Sequence, residues 1–454
     1  MILLENGIIV TSEKEEKGTI VIENCKIIDV LYSSEENYPL NVWNYRKQAE
    51  EVIDVDGKHV IAGGIDAHVH FREPGLTHKA DMATESLAAV AGGVTSVMDM
   101  PNTSPATTSA EALKGKLELA KEKSVAKMSF HIGATNDNVA DICRLITEGD
   151  AATGITPDDI AGVKVFMGSS TGNMLVDAND TLDRLFAIKE KPVLVHCEDE
   201  ATIKENLAKA VETYGEDIPF REHENIRSRK ACIKSSIKAL EMAMKHGTKL
   251  VLCHISTKEE IQMTRAAKLT NPDIVAETSC NYLWFCNEDY DRLGSRAKCN
   301  PAVKGADDRQ ALIEALANGD IDTIGSDHAP HLPSEKDAPY CKAPSGLPSI
   351  QQSLPVLLTI AHENEIPLTR IASVFSENAS KIYSLERGKI AKGYDADLVV
   401  FDYGQTFEVK TADQFSKCGW TPYEGTRLRG KIECVMIDGR TIYTNDETPR
   451  FIND

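Results

Sequence analysis

The sequence has no surplus of basic residues. Its 50 Lys and Arg stand against 70 Asp and Glu, a net charge of -20. That balance argues against broad binding to nucleic acid or anionic membrane, both of which need a basic surface. An anionic ligand would need local positive charge. No apolar run approaches the roughly 20 residues that span a bilayer, and the opening MILLENGIIV lacks the basic start of a signal peptide. The 11 cysteines include no CxxC pair and no repeated spacing, so they read as reduced core thiols of a cytoplasmic protein. Low-complexity linkers and helical repeats are also missing. What remains is an ordinary globular composition, 42% hydrophobic and 26% charged over 454 residues, enough for a large barrel with additions or for two or three domains.

Both ends of the chain are rich in short β-type runs. ILLENGIIV, GTIVIENCKIIDV and EEVIDVDGKHV open it, and DADLVVFDYG, TFEVK and GKIECVMIDGRTIYTND close it, with Asp438-Gly439 as a hairpin signal. Residues 1–58 and 387–454 are therefore expected to build one small β-domain, sandwich-like in character. Residues 59–386 differ. Eight apolar runs recur there: VIAGGIDAHVH, TSVMDMPN, KMSFHIGAT, GVKVFMG, PVLVHCED, KLVLCHIST, DIVAETSC and IDTIGSDHAPH. Segments of helical composition, such as SAEALKGKLELAKEKS and SRKACIKSSIKALEMAMKHG, lie between them. Strand-helix alternation implies a parallel sheet, and eight units predict an α/β fold with a closed (β/α)8 barrel. The open doubly wound sheet is the alternative, but no Gly-rich dinucleotide fingerprint follows the first run.

The reactive residues gather at the ends of these runs. In IDAHVHFREPG, strand alternation would send His68, His70 and Arg72 to one side and Val69 and Phe71 to the other. Asp99 and Asn102 end the second run, His196 the fifth, His254 the sixth and Asp327 the eighth, while Lys164 lies in the fourth. A barrel would bring all of them to one rim. Imidazole and carboxylate suit zinc and related divalent ions, and His68, His70, His196, His254 and Asp327 are too many ligands for one tetrahedral catalytic site. Two ions would use them all if something anionic bridged the pair. Lys164, flanked by Val163, Val165 and Phe166, is the candidate: a desolvated neutral amine can add carbon dioxide to form a carbamate. A lysine snorkelling to solvent is an equally good reading of those residues alone.

HVHFREPG, GGVTSVMDMPNTSPATTS, GVKVFMG, VHCED, CHIS, SDHAPH, NASKIYSLERGKIAKGYDADLVVFD and KCGWTPYEG together resemble the dihydroorotase family of the amidohydrolase superfamily, over nearly the whole chain. The resemblance implies a binuclear centre, commonly zinc, with His68, His70 and Asp327 on one ion and His196 and His254 on the other. It implies that Lys164, N6-carboxylated as in related hydantoinase-like enzymes, bridges them. Arg72 and Asn102 match the family's pair for the substrate carboxylate, and Asn300 and His331 match further substrate contacts. The implied reaction is reversible cyclisation of N-carbamoyl-L-aspartate to L-dihydroorotate in de novo pyrimidine biosynthesis, with a metal-activated hydroxide in the hydrolytic direction and Asp327 as proton shuttle.

Another cyclic amidohydrolase, an allantoinase or dihydropyrimidinase, is the nearest rival; neither substrate carries the carboxylate that Arg72 and Asn102 would hold, so that pair discriminates against it. A non-catalytic partner of a transcarbamoylase is another, disfavoured by the retained ligand set. The resemblance leaves a homo-oligomer or a contact with aspartate transcarbamoylase as possible partnerships. Cys280-Asn281 stands where relatives often carry Pro-His, and Gln351-Gln352 where many carry an acid. Asp99 reads as support for its strand, and His328 need not share the direction of Asp327. No role is assigned to His59, His78, His131, His223, His246 or His362. The segment TKEEIQMTRAAKL and the loop Tyr340 to Gly346 are each open to reading as an interface or a lid.

Overall fold

In a computed structural model, residues 1–168 and 174–445 are described in full, and 450–451 by backbone alone. Eight strands form one parallel sheet: β1 (Gly64–Val69), β2 (Val94–Asp99), β3 (Lys127–Gly133), β4 (Ile160–Phe166), β5 (Val193–His196), β6 (Leu250–Leu252), β7 (Ile274–Thr278) and β8 (Thr323–Ile324). They follow chain order, and each corresponds to one of the eight apolar runs. A parallel bridge from Val69 to His328, with the His70 amide donating to His328 O at 2.8 Å, brings the last strand back to the first. Residues of β1, β2 and β5 are buried throughout. Helices cover one side of these strands and barrel interior the other, which is why their sequences read as continuous apolar runs.

The crossover helices begin and end where side-chain chemistry dictates. Asp81, Ser109, Asp199 and Thr257 each accept a hydrogen bond from a backbone N–H in the first turn of the helix that follows. Gly247, in a left-handed conformation, ends Arg229–His246, and Gly319 does the same for Ala306–Asn318. The segment TKEEIQMTRAAKL supplies the helix Lys258–Lys268, which buries Ile261, Thr264 and Ala267 as an ordinary barrel helix does.

The chain ends meet in a nine-stranded mixed sheet. His59–Ala62 is the seam, pairing parallel with Ile2–Val10 and antiparallel with Leu398–Glu408. Leu4, Ile9 and Ile20 from the first segment and Val60 from the seam strand share an apolar cluster with Leu398, Val400 and Met436 from the last, so His59–Ala62 joins the terminal sheet and not the barrel expected to begin at residue 59. The strands Arg427–Ile437 and Arg440–Thr444 form a hairpin through Asp438 and Gly439, both at positive φ as a two-residue turn of this kind requires. Lys127, at the start of β3, reaches Asp395, Asp397 and Asp438 at 2.7 to 3.0 Å and anchors the barrel to this sheet. The helix Tyr38–Arg46 was not expected in a β-rich segment. It buries none of its residues and leaves Trp43 53% exposed, so it carries no apolar period to read.

Candidate active site

A cavity of about 280 Å³ opens at the C-terminal ends of the barrel strands. His68, His70, Arg72, Asn102, Lys164, His196, His254, Asn300, Asp327 and His331 all line it, together with Phe166, Arg227, Ala329 and the segment Pro344–Gly346. Every site residue expected from the sequence therefore meets at one place. Strand alternation accounts for only part of that convergence. β1 ends at Val69, and Arg72 reaches the cavity through a left-handed turn at φ 66°. His254 and Asp327 also sit at positive φ, 37° and 49°. Such backbone is uncommon in non-glycine residues and gathers where side chains must be aimed. Gly325 keeps the floor tight: a Cβ there would lie 2.7 Å from both His68 Cβ and Glu277 Cδ.

Oxygen acceptors behind His68, His70 and His196 assign the ring hydrogen of each. His68 Nδ1 donates to Glu277 Oε1 at 2.7 Å, and His70 Nδ1 donates to Asn102 Oδ1 at 2.7 Å. The Nε2 lone pairs of both then face Asp327 Oδ1, at 3.5 and 3.0 Å. His196 Nε2 donates to Glu198 Oε2 at 2.9 Å, which leaves its Nδ1 lone pair 3.0 Å from His254 Nε2. The Nδ1 of His254 is buried without a hydrogen-bond partner among the described residues. Burial first, then neighbouring cationic groups such as Lys164, hold His68 well below the usual imidazole range, and His254 and His196 are lowered by burial too. Around Asp327, two Nε2 lone pairs and a carboxylate aim acceptors at one another, an arrangement that a divalent cation relieves and a hydrogen bond does not. The donors thus fit the metal chemistry expected of them, with Glu277, Asn102 and Glu198 orienting the histidines from behind. A second cluster, His68, Cys253 and Glu277, lies under the floor. Burial pushes its Cys253 thiol up to about 12, so it offers no thiolate near neutral pH.

Lys164 is fully buried, and its amine donates to Cys253 Sγ at 3.3 Å. Among the described residues no acid pairs with it. This is not a lysine that snorkels to solvent. Arg72 is 5% exposed, with Nε donating to Pro330 O at 3.1 Å. Burial lowers its pKa to about 10, so it remains a cation at neutral pH. His331 lies beside it, its Nε2 3.0 Å from Arg72 Nη2. Asn300 lines the same cavity, and its Oδ1 is buried without a described partner.

Several neighbours take other work. Asp99 accepts from the Phe71 amide at 2.7 Å and pairs with buried Lys116, supporting its strand. His328 turns away from Asp327, its Nε2 donating to Glu85 Oε2 at 2.7 Å. Asn281 donates to Ser326 O at 3.3 Å and accepts from Tyr423 Oη at 2.9 Å, linking the segment that bears Asp327 to the C-terminal part of the chain. Gln352 donates to Gln414 Oε1 at 2.9 Å and accepts from Thr421 Oγ1 at 3.1 Å, two roles that an ionised acid could not combine. Sequence reasoning missed Glu277, Glu198 and Arg227. The signal for the first was an acid inside a strand otherwise apolar, and for the second an acid two residues after His196.

A profile of the amidohydrolase family matches residues 59–442. The dihydroorotase of Methanosarcina mazei is 36% identical over 391 residues, 83% of this chain and 82% of that protein. An allantoinase of Desulfitobacterium hafniense is 30% identical over 97% of this chain and 95% of its own. Among solved structures, the L-hydantoinase (dihydropyrimidinase) from Arthrobacter aurescens superposes with a TM-score of 0.89 at 24% identity, covering 99% of this chain and 97% of that one. The latter likeness speaks to the fold.

Proposed function

The chain belongs to the amidohydrolase family, and from that membership we propose that it interconverts N-carbamoyl-L-aspartate and L-dihydroorotate, the ring-closing step of de novo pyrimidine synthesis. The observation that carries the substrate is the buried guanidinium of Arg72 on the wall of a cavity whose floor is the histidine and aspartate cluster. A ring amide over the cluster leaves its carboxylate facing Arg72. Allantoin and dihydropyrimidines have no carboxylate to place there, so the allantoinase reading leaves a buried cation without a partner. Several relatives named dihydroorotase, including one from Clostridioides difficile spanning 98% of this chain, support the same choice.

In this reading His68, His70 and Asp327 would hold one divalent ion and His196 and His254 a second, with Lys164, once carboxylated, completing the donor set; zinc suits it. When bound, the ions supply Lewis acidity to a water and to the ring carbonyl. Asp327 accepts the proton of the attacking water and returns it to the ring nitrogen as the C–N bond breaks, leaving the new carboxylate and the ureido nitrogen of the open chain. Arg72, Asn102, Asn300 and His331 fix the substrate carboxylate, so the carbonyl stays over the cluster through both directions. Phe166 and the segment Pro344–Gly346 line the same cavity. The reading extends to a homo-oligomer or a contact with aspartate transcarbamoylase, which sedimentation of the chain alone and with that enzyme would test.

The deciding experiment is turnover of dihydroorotate by purified protein, with metal quantified in the same sample and a chelator-treated control. Chelator-sensitive turnover with about two ions per chain is the expected result. Full metal occupancy without turnover would move the assignment to a carboxylate-free cyclic amide.

A further inference from the structure

Lys79 has no part in the chemistry above, yet it lies directly behind His331. Its Nζ is 3.0 Å from His331 Nδ1 and 3.1 Å from Glu335 Oε1, and its side chain is only 14% exposed. On the cavity side, His331 Nε2 is 3.0 Å from Arg72 Nη2 and 3.1 Å from Ser345 O. Both ring nitrogens of His331 therefore face a cationic donor, while a neutral imidazole has one lone pair to offer. An ammonium paired with Glu335 only donates, and a carbonyl only accepts. The single assignment that satisfies Lys79 and Ser345 together places the lone pair on Nδ1 and the hydrogen on Nε2. Arg72 Nη2 and His331 Nε2 are then two donors side by side on the cavity wall, and an anionic oxygen is the partner that serves both.

We propose that Lys79 is a positioning residue that locks His331 in the Nε2–H tautomer, so that His331 and Arg72 donate together to the substrate carboxylate. The proposal rests on the carboxylate-binding reading of Arg72 and His331 given above. The imidazolium form would not need the lock, but it is disfavoured: burial, with Arg72 and then Lys79 beside it, holds His331 far below the usual imidazole range. Glu335 holds Lys79 in place at 3.1 Å, and it also receives the Leu332 amide at 2.9 Å, so the device is anchored to the backbone just after His331.

The test compares wild type, Lys79→Met and Lys79→Arg by nitrogen NMR of 15N-histidine-labelled protein, with the His331 signal assigned through His331→Asn. Kinetics on dihydroorotate are measured in parallel. In wild type and Lys79→Arg the ligand-free enzyme should show Nε2 protonated and Nδ1 bare. In Lys79→Met the signal should move toward the other tautomer or an exchange average, with KM raised about tenfold, equivalent to about 1.4 kcal/mol, and kcat within about twofold. A wild-type signal with Nδ1 protonated, or a Lys79→Met variant with unaltered tautomer and KM, would overturn the lock. The NMR readout stands without any substrate: failure of wild type to turn over dihydroorotate, with the tautomer as expected, would remove the substrate reading and leave the lock intact.

Discussion

Replacing Arg72 with Met tests the substrate assignment most directly. Methionine keeps the length and the apolar stem and, like any L residue, bears the same φ of 66°, so the backbone strain is unchanged. What disappears is a buried cation, 5% exposed, whose Nε is already spent on Pro330 O at 3.1 Å and whose other nitrogens face the cavity wall and His331. Removing one partner of a buried, hydrogen-bonded charge pair costs about 2 to 5 kcal/mol. At 1.36 kcal/mol per decade this is a loss of roughly 30-fold to 5000-fold in kcat/KM for dihydroorotate. The cost arises only when the ligand brings a carboxylate. For 5,6-dihydrouracil, the same ring without that group, the variant should stay within about threefold of wild type. The assay is ring opening of both substrates by both proteins at matched metal content, giving a two-by-two cycle whose cross term is the carboxylate interaction. Equal losses on the two substrates would refute the reasoning and make Arg72 a residue of the fold or of the metal cluster.

Three further outcomes follow from the same geometry. Asp327→Asn should keep the thermal melting profile close to wild type but lower kcat by about 10²-fold to 10⁴-fold as the proton shuttle is lost; near-normal turnover would sink that role. Tyr423→Phe removes the hydroxyl donated to Asn281 Oδ1 at 2.9 Å inside the core and should cost about 1 to 2 kcal/mol in urea denaturation, with kcat little altered. Lys336 is buried, its amine donating to Lys298 O, Pro344 O and Gly346 O, and burial pushes it down to about 7 from an ordinary value of 10.5. Between those two pH values the unfolded chain binds the extra proton, so wild-type stability relative to Lys336→Met should rise with pH, by at most about 1.4 kcal/mol per unit, and be flat below the lower value. A difference that falls between pH 7 and 9 in denaturation curves would contradict the assignment.

The Tyr340 to Gly346 loop shows where sequence reading runs out. Its composition left interface and lid open. In the fold, Lys298 donates to Tyr340 O and Ala343 O at 2.7 and 2.6 Å, and Lys336 holds Pro344 O and Gly346 O. The loop is a pinned wall of the cavity, held by lysines that are 42 or 45 and 8 or 10 positions away in sequence. Nothing local in its residues encodes that. Asn281 is similar: its departure from the family's pattern was legible, but the Tyr423 hydroxyl that accounts for it comes from the far end of the chain.

Eight apolar runs at helix-separated intervals determine the barrel, because parallel strands covered on both faces must be continuously apolar and must alternate with crossovers. The residues closing those runs point to the chemistry, since strand ends share one rim, and that logic alone singles out His68, His70, His196, His254 and Asp327, which line one cavity. Direction and pairing belong to the tertiary structure. Which nitrogen of each histidine faces the cavity depends on Glu277, Asn102 and Glu198 behind it. Arg72 arrives through a left-handed turn, not strand alternation. His331 takes its tautomer, in the present proposal, from Lys79, 252 residues earlier. Periodicity and composition are local properties and survive in a string of letters; a hydrogen bond's partner is set by distance in three dimensions, which only the folded chain supplies.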